Sequence, residues 1–346
     1  MAEIIKFATA GTDEKSDAVI SIEPCENGLQ LEIKSVVMNQ FGAAIEASVR
    51  KVLEERPWST IVSVSQVDSY PDQLGCQCEN CKAIDDREGT PMGSLLTFVN
   101  RIADDIKDDY PHVYVDTLAY RYTRKAPKNI KPADNVIIRL CSIECCFCHP
   151  LDDPDCPHNV EFKKDIEEWS AICNNLYIWD YTTDFLCYLS PFPNFAVLQK
   201  NVKFFKDHHV IGMFEQGNYQ SLSGEFGELR GYLLAKLLWD PDMTEEEYYA
   251  CMDEFLQYYY GAGWEKIKEY MTSMAAHAIR NNTHLGIFDK GDKMYPAVDE
   301  NGKRDTKFSR NMLTLWEEAY ALEIDDQFRL VVELADGTRK ALSTGE

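Results

Sequence analysis

The stretch Asn174-Asn-Leu-Tyr-Ile-Trp-Asp-Tyr181 is an apolar run that closes on aromatic residues and an acid. A linking helical segment follows, and Val210-Ile-Gly-Met-Phe-Glu-Gln-Gly217 then repeats the pattern. Each run has the length and composition of a buried parallel strand, and each turns from apolar to acidic at its end. This is the pattern of strands that deliver carboxylates, here Asp180 and Glu215, to the C-terminal rim of an α/β sheet or barrel. Two carboxyl groups on neighbouring strand ends suffice for acid–base work on a glycosidic bond. Two solvated loop acids would leave the same trace in the sequence.

The rest of the composition narrows the field. The chain has 346 residues, 45% of them hydrophobic, which is enough for a large α/β core. Its formal charge of −23 argues against nucleic acid or an anionic membrane surface as partner, because both demand clustered Lys and Arg. No apolar run reaches the roughly 18 residues of a membrane span. The opening Met1-Ala-Glu-Ile-Ile-Lys-Phe7 has no apolar signal core, so the expectation is a cytoplasmic protein.

Twelve cysteines are unusual for that compartment. Three form Cys76-x-Cys78-x-x-Cys81, and Cys141, Cys145, Cys146, Cys148 and Cys156 run together with His149 and His158 interleaved. Such spacing suits a metal site or free buried thiols better than disulfides. Cys76, Cys78 and Cys81 are the candidate ligands of a structural zinc, one short of the usual four, and His149 or Cys148 are candidates to complete the set. No other cofactor is expected.

Upstream, Ala18–Glu23 and Leu29–Lys34 alternate apolar and polar residues around the turn-rich Pro24-Cys-Glu-Asn-Gly28, which predicts a hairpin. Phe41, Ile45, Val49 and Leu53 follow at helical spacing. From Arg56 onward strands and helices alternate: strands at 59–66, 113–120 and 135–141, and helices around Phe98–Ile106 and Phe162–Trp169. With the two opening runs this makes about five parallel strands, short of the eight of a closed barrel. After Glu215 the chain turns helical, with a capping box at Thr244-Glu-Glu-Glu247 and a last helix through Phe308, Met312, Trp316 and Ala319. Ala335-Asp-Gly337 between two apolar runs predicts a terminal hairpin.

The expected fold class is therefore α/β: a partial, TIM-like (β/α) barrel followed by a helical layer. The expected blocks are a β-hairpin and helix at 1–55, a half-barrel at 56–220, helices at 221–322 and a hairpin at 323–346.

Three stretches resemble known families. Val64-Ser-Gln-x-Asp68, the Cys76–Ala83 loop, Thr117-Leu-Ala-Tyr-x-Tyr122, Tyr177–Tyr181 and Leu229–Trp239 are similar in order to the bacterial Domain of Unknown Function 4838. That resemblance covers 56–320. It implies the second half of a barrel like that of α-glucuronidases, and a carbohydrate substrate. Ala10-Gly-Thr12, Glu14, Ser16-Asp17 and Gln40-Phe-Gly42 resemble the acyl carrier subunit of citrate lyase, in which a serine carries a phosphoribosyl-dephospho-coenzyme A arm. The resemblance puts that arm on Ser16, although Lys15 replaces the first serine of the family's pair. Residues 325–346 are weakly similar to the end of biotin–protein ligases. Three unlike resemblances in one chain suggest a fusion, and an incomplete barrel implies an exposed sheet edge through which copies associate.

Functionally, the leading expectation is a glycoside hydrolase with Asp180 and Glu215 as the catalytic pair. Asp180, between Trp179 and Tyr181, is expected to be the protonated acid, and Glu215, before Gln216 and Gly217, the charged partner. Asp68, Tyr120, Arg121, Glu144, Trp179 and Tyr219 are candidates to line a sugar subsite. The rivals are a non-catalytic carbohydrate-binding or structural module and an acyl-carrier-related protein.

Overall fold

In the computed structural model, the described residues are the strand backbones at 8–10, 18–22 and 32–35, then 60–65, 75–219, 221, 224–289, 291–294 and 307–321. The helix expected at 41–53, the hairpin at 323–346, Ser16 and Asp68 lie outside them.

Strands β1 (Ala8–Ala10), β2 (Ala18–Ile22) and β3 (Glu32–Ser35) form an antiparallel sheet in the order β1-β2-β3. The β2–β3 pair is the hairpin that the alternation predicts; β1 is too short to have announced itself. The main sheet has five parallel strands in sequence order: β4 (Thr60–Ser63), β5 (Val113–Ala119), β6 (Val136–Cys141), β7 (Leu176–Tyr181) and β8 (Val210–Gln216). Between them run helices α1 (Glu79–Glu88), α2 (Met92–Ile106), α3 (Val160–Ser170) and α4 (Phe195–Asp207). Then come α5 (Gly227–Trp239), α6 (Glu245–Tyr260), α7 (Trp264–Arg280) and α8 (Lys307–Ala321). The molecule is thus α/β, a partial (β/α) barrel with a helical layer.

Parallel strands need long crossover connections, here helical except between β5 and β6, and the helices bury one face of the sheet. Val115, Ile138, Leu140, Leu176 and Ile178 are wholly buried there and share one core with Leu96 of α2, Phe162 and Trp169 of α3, and Phe205 of α4. Helix α2 packs on β5 and β6, and α4 on β8. From α4 onward each helix packs on the next, through α5, α6 and α7 to α8. The expected capping box opens α6: Thr244 Oγ accepts from Glu247 N, and the Glu247 carboxylate accepts from Thr244 N at 2.9 Å. Among the described residues no helix is long and apolar enough to cross a membrane.

One local detail fixes the β7–β8 register. A bulge lies between Leu176 and Tyr177, so Tyr177 pairs with Gly212 rather than Ile211. The Tyr177 ring lies over Gly212 where a Cβ would otherwise be, and it faces the Arg139 guanidinium at 6.0 Å. Gly212→Ala is expected to cost about 1–3 kcal/mol by driving the added methyl into that ring. Urea unfolding of Gly212→Ala, Tyr177→Ala and the double variant checks this. The losses should be strongly non-additive, whereas simple additivity would show that the ring does not depend on the glycine.

Candidate active site

Strand alternation decides what meets what at the C-terminal end of the sheet. Parallel register pairs Asp180 of β7 with Glu215 of β8, so both side chains leave the same face. It is the helix-covered face, since Asp180 continues the line Leu176–Ile178 and Glu215 continues Met213. Ser142, one residue past β6, stands beside them: its N donates to Trp179 O at 3.1 Å and its hydroxyl donates to Asp180 Oδ1. Asp180 and Ser142 are buried. Glu215 is half-buried as a residue, yet both its carboxyl oxygens are shielded from water and have no hydrogen-bond partner among the described residues.

Two acids placed side by side away from water do not both ionise. Burial raises Asp180 to about 6, moderated by the Ser142 hydroxyl and the Tyr181 amide. Burial raises Glu215 well above the usual carboxylate range, and the neighbouring Asp180 charge pushes it further the same way. The pair therefore holds one proton near neutrality, and the proton sits on Glu215. This reverses the expected roles. Trp179 and Tyr181 do not form the expected apolar wall around Asp180, because residues adjacent along a strand point to the opposite face. Asp180 is the better solvated of the two, through Ser142, which sequence proximity did not reveal.

The same alternation removes Trp179 from the pair. Its indole N–H donates to Gln216 Oε1 at 2.8 Å and its ring meets Phe214 edge-on at 5.0 Å, on the open face. Glu144 is held elsewhere: Arg124 Nη1 donates to it at 2.9 Å, and Arg124 Nε donates to Asp165 at 2.6 Å. Tyr120 and Arg121 follow β5, separated from β7 by β6, with the Arg121 guanidinium 5.3 Å from the Tyr120 ring. Tyr219 is exposed, its ring 5.9 Å from Phe185. Among the described sugar-site candidates, none of Tyr120, Arg121, Glu144, Trp179 and Tyr219 is shown to join Asp180 and Glu215. The open face carries a pair absent from the expectations, Arg139 and Asp116 at 2.8 Å, with Ser63 Oγ donating to Asp116.

The cysteines divide into two groups. Cys76, Cys78 and Cys81 do converge, their sulfurs within 4.8 Å of one another, where Cys78 caps α1 by accepting from Cys81 N at 3.5 Å. The expected loop thus ends in a helix, and neither His149 nor Cys148 joins the trio. Cys146, His149, Cys156 and His284 form the second group. Hydrogen bonds from Cys148 first, and then from His149 and His284, lower the Cys146 thiol to about 3 against the cost of burial.

A family model described as Domain of unknown function (DUF4838) matches residues 36–272. The chain belongs to this family. The DUF4838 match begins inside the block expected to be carrier-like. The chain is also 54% identical over 52 residues to the citrate lyase acyl carrier protein of Escherichia fergusonii, covering 15% of this chain and 54% of that one. It is 56% identical over 52 residues to acyl carrier protein 2 of Salmonella typhimurium, covering 15% and 54%. It is 53% identical over 69 residues to that of Klebsiella pneumoniae, covering 20% and 65%. The chain spans about half the length of most of these curated relatives.

The sign of the pH dependence follows from the shared proton. Asp180 is raised from 3.8 to about 6, so the native state binds its proton more tightly than the unfolded chain. Stability is then fully present below the ordinary value and is lost as pH rises through the native one, by roughly 3 kcal/mol for this group. Glu215 extends the loss to higher pH. Glu215→Gln removes the second charge, and its thermal midpoint is expected to decline much less than that of the parent between about pH 5 and 8. Parallel curves for the two proteins would show that the acids do not share a buried site.

Proposed function

We propose that this DUF4838 protein is carbohydrate-directed, of glycoside hydrolase type, with Glu215 as proton donor and Asp180 as the charged partner. The observation that carries this reading is the in-register pairing of the two acids on one face, with the proton forced onto Glu215. Neighbouring strands lie about 4.8 Å apart, which matches the short carboxyl separation of retaining enzymes rather than the wider gap of inverting ones. In that mechanism Glu215 protonates the glycosidic oxygen as Asp180 attacks the anomeric carbon. The leaving group departs as an alcohol, and water, deprotonated by Glu215, then releases the sugar from Asp180.

The sealing of both carboxyls favours a second reading, a non-catalytic carbohydrate-binding or structural module in which the acids are a buried core feature. For turnover, whatever covers the pair must move aside to admit a sugar ring.

Assay of the full chain against a panel of aryl glycosides and aryl uronides separates the two. The hydrolase reading expects release of the aryl group with retention at the anomeric carbon, and a loss of at least about 100-fold in Asp180→Asn and Glu215→Gln. Inert wild-type protein that still binds sugars in calorimetry would establish the module instead. The similarity to acyl carriers supports a further role for the N-terminal block, attachment of a phosphopantetheine-type arm at Ser16. Intact-mass spectrometry of protein from a citrate-fermenting host should then show the added mass on Ser16, and unmodified protein there would exclude it.

A further inference from the structure

The loop from Ser142 to Asn159 folds two cysteines and a histidine towards a histidine from the far side of the sequence. Cys146 Sγ lies 3.2 Å from His149 Nδ1, and Cys156 Sγ lies 3.5 Å from His284 Nδ1. One ligand atom from each of the four residues falls within 4.8 Å of all the others. With zinc–sulfur bonds of about 2.3 Å and zinc–nitrogen bonds of about 2.0–2.1 Å, the sulfur–nitrogen edges of a tetrahedron are about 3.5 Å. Both observed pairs approach that edge length. The imidazole rings of His149 and His284 sit with centroids 4.7 Å apart.

The surroundings hold this arrangement in place. Asn159 staples the loop: its side-chain oxygen accepts from Cys146 N at 2.8 Å. Its amide donates to the carbonyls of Cys146, His149 and Pro150 at 3.0–3.1 Å. Phe147 N donates to Leu285 O at 2.9 Å, which ties the His284 segment to the same loop. Cys146, Cys156 and His149 are buried. The Nε2 atom of His284 is also buried, with no hydrogen-bond partner among the described residues, while the ring's other nitrogen faces the Cys156 thiol. Buried thiols are common as packing groups, but one buried and one half-buried imidazole aimed at two thiols are not explained by packing.

We propose that Cys146, His149, Cys156 and His284 bind one zinc ion as a closed, tetrahedral structural site. Two thiolates and two imidazoles suit zinc and are unsuited to calcium or magnesium, which take oxygen ligands. Four protein ligands leave no open position for substrate, so the ion ties the loop after β6 to the segment after α7 and performs no chemistry. The site is separate from the Cys76–Cys78–Cys81 trio, which lacks a fourth ligand among the described residues.

The test uses the full chain, purified under reductant and passed over a chelating resin, with Cys76, Cys78 and Cys81 all changed to Ser so that only this site is read. Elemental analysis should find a single equivalent of zinc, and cobalt(II) exchange should give the intense visible bands of tetrahedral thiolate coordination. His284→Ala and Cys156→Ser should lose both signals, while Cys251→Ser on α6 keeps them. His284→Cys, which restores a ligand, should retain the metal and so distinguish lost ligation from lost folding. Asn159→Ala is expected to weaken zinc binding about 10–100-fold. Metal-free protein, zinc retained by His284→Ala, or a Cys146–Cys156 disulfide found in peptide mapping would each overturn the assignment.

Discussion

A parallel strand cannot be reached by a hairpin, so the steps from β4 to β5, β6 to β7 and β7 to β8 pass through helices, and the step from β5 to β6 through a loop with one 3-10 turn at Arg121–Thr123. That requirement buries Val115, Ile138, Leu140, Leu176 and Ile178 in one continuous face. It also carries whatever follows them in alternation onto that face. At the C-terminal end of β7 and β8 the next residues are Asp180 and Glu215. Two acids are therefore inserted into a face that is otherwise mostly hydrocarbon, with Thr117 and Ser142 its other buried polar groups. The proton the acids share is a consequence of topology rather than of local sequence.

The chain treats another sheltered acid, the half-buried Glu225, differently. Glu225 is also raised by burial, to about 7, but Arg230 sits against it at 3.1 Å. Arg230 in turn donates to Asn194 Oδ1 at 3.1 Å and Glu225 O at 2.9 Å, and its guanidinium lies 4.7 Å from the Phe195 ring. Each polar group of that knot has partners, so its cost of burial is offset in the usual way for an interior ion pair. Glu215 has no such compensation. The same scaffold thus pairs Glu225 fully and leaves the Glu215 carboxyl bare among the described residues.

The fold was largely legible because its signals are local. Apolar runs closed by acids gave β7 and β8, and the Thr244–Glu247 box and the spacing of Leu229, Leu233 and Leu237 gave α6 and α5. The site was half legible. That Asp180 and Glu215 end neighbouring strands could be read from the chain, but which neighbours solvate them could not. Ser142 comes from a different strand, and Trp179, adjacent in sequence, points away. The thiol–imidazole set was legible only in its near part. Cys146, His149 and Cys156 lie within one loop, whereas His284 is 128 residues beyond Cys156 and sits in no metal-binding spacing.

The two chemical clusters are not independent of each other. Ser142 begins the loop whose far end, Asn159, is the N-cap of α3, and Cys146 and His149 lie between them. The hydroxyl that sets the balance between Asp180 and Glu215 is thus four residues from the thiol at the centre of the second cluster. A hydroxyl–carboxylate hydrogen bond is directional and weakens steeply with misalignment. Loosening the loop would therefore threaten the Ser142 hydroxyl's bond and leave Asp180 with the Tyr181 amide as its donor. In that state the pair's remaining proton would be bound more tightly still, and Asp180 would lose the charged form that the hydrolytic reading requires.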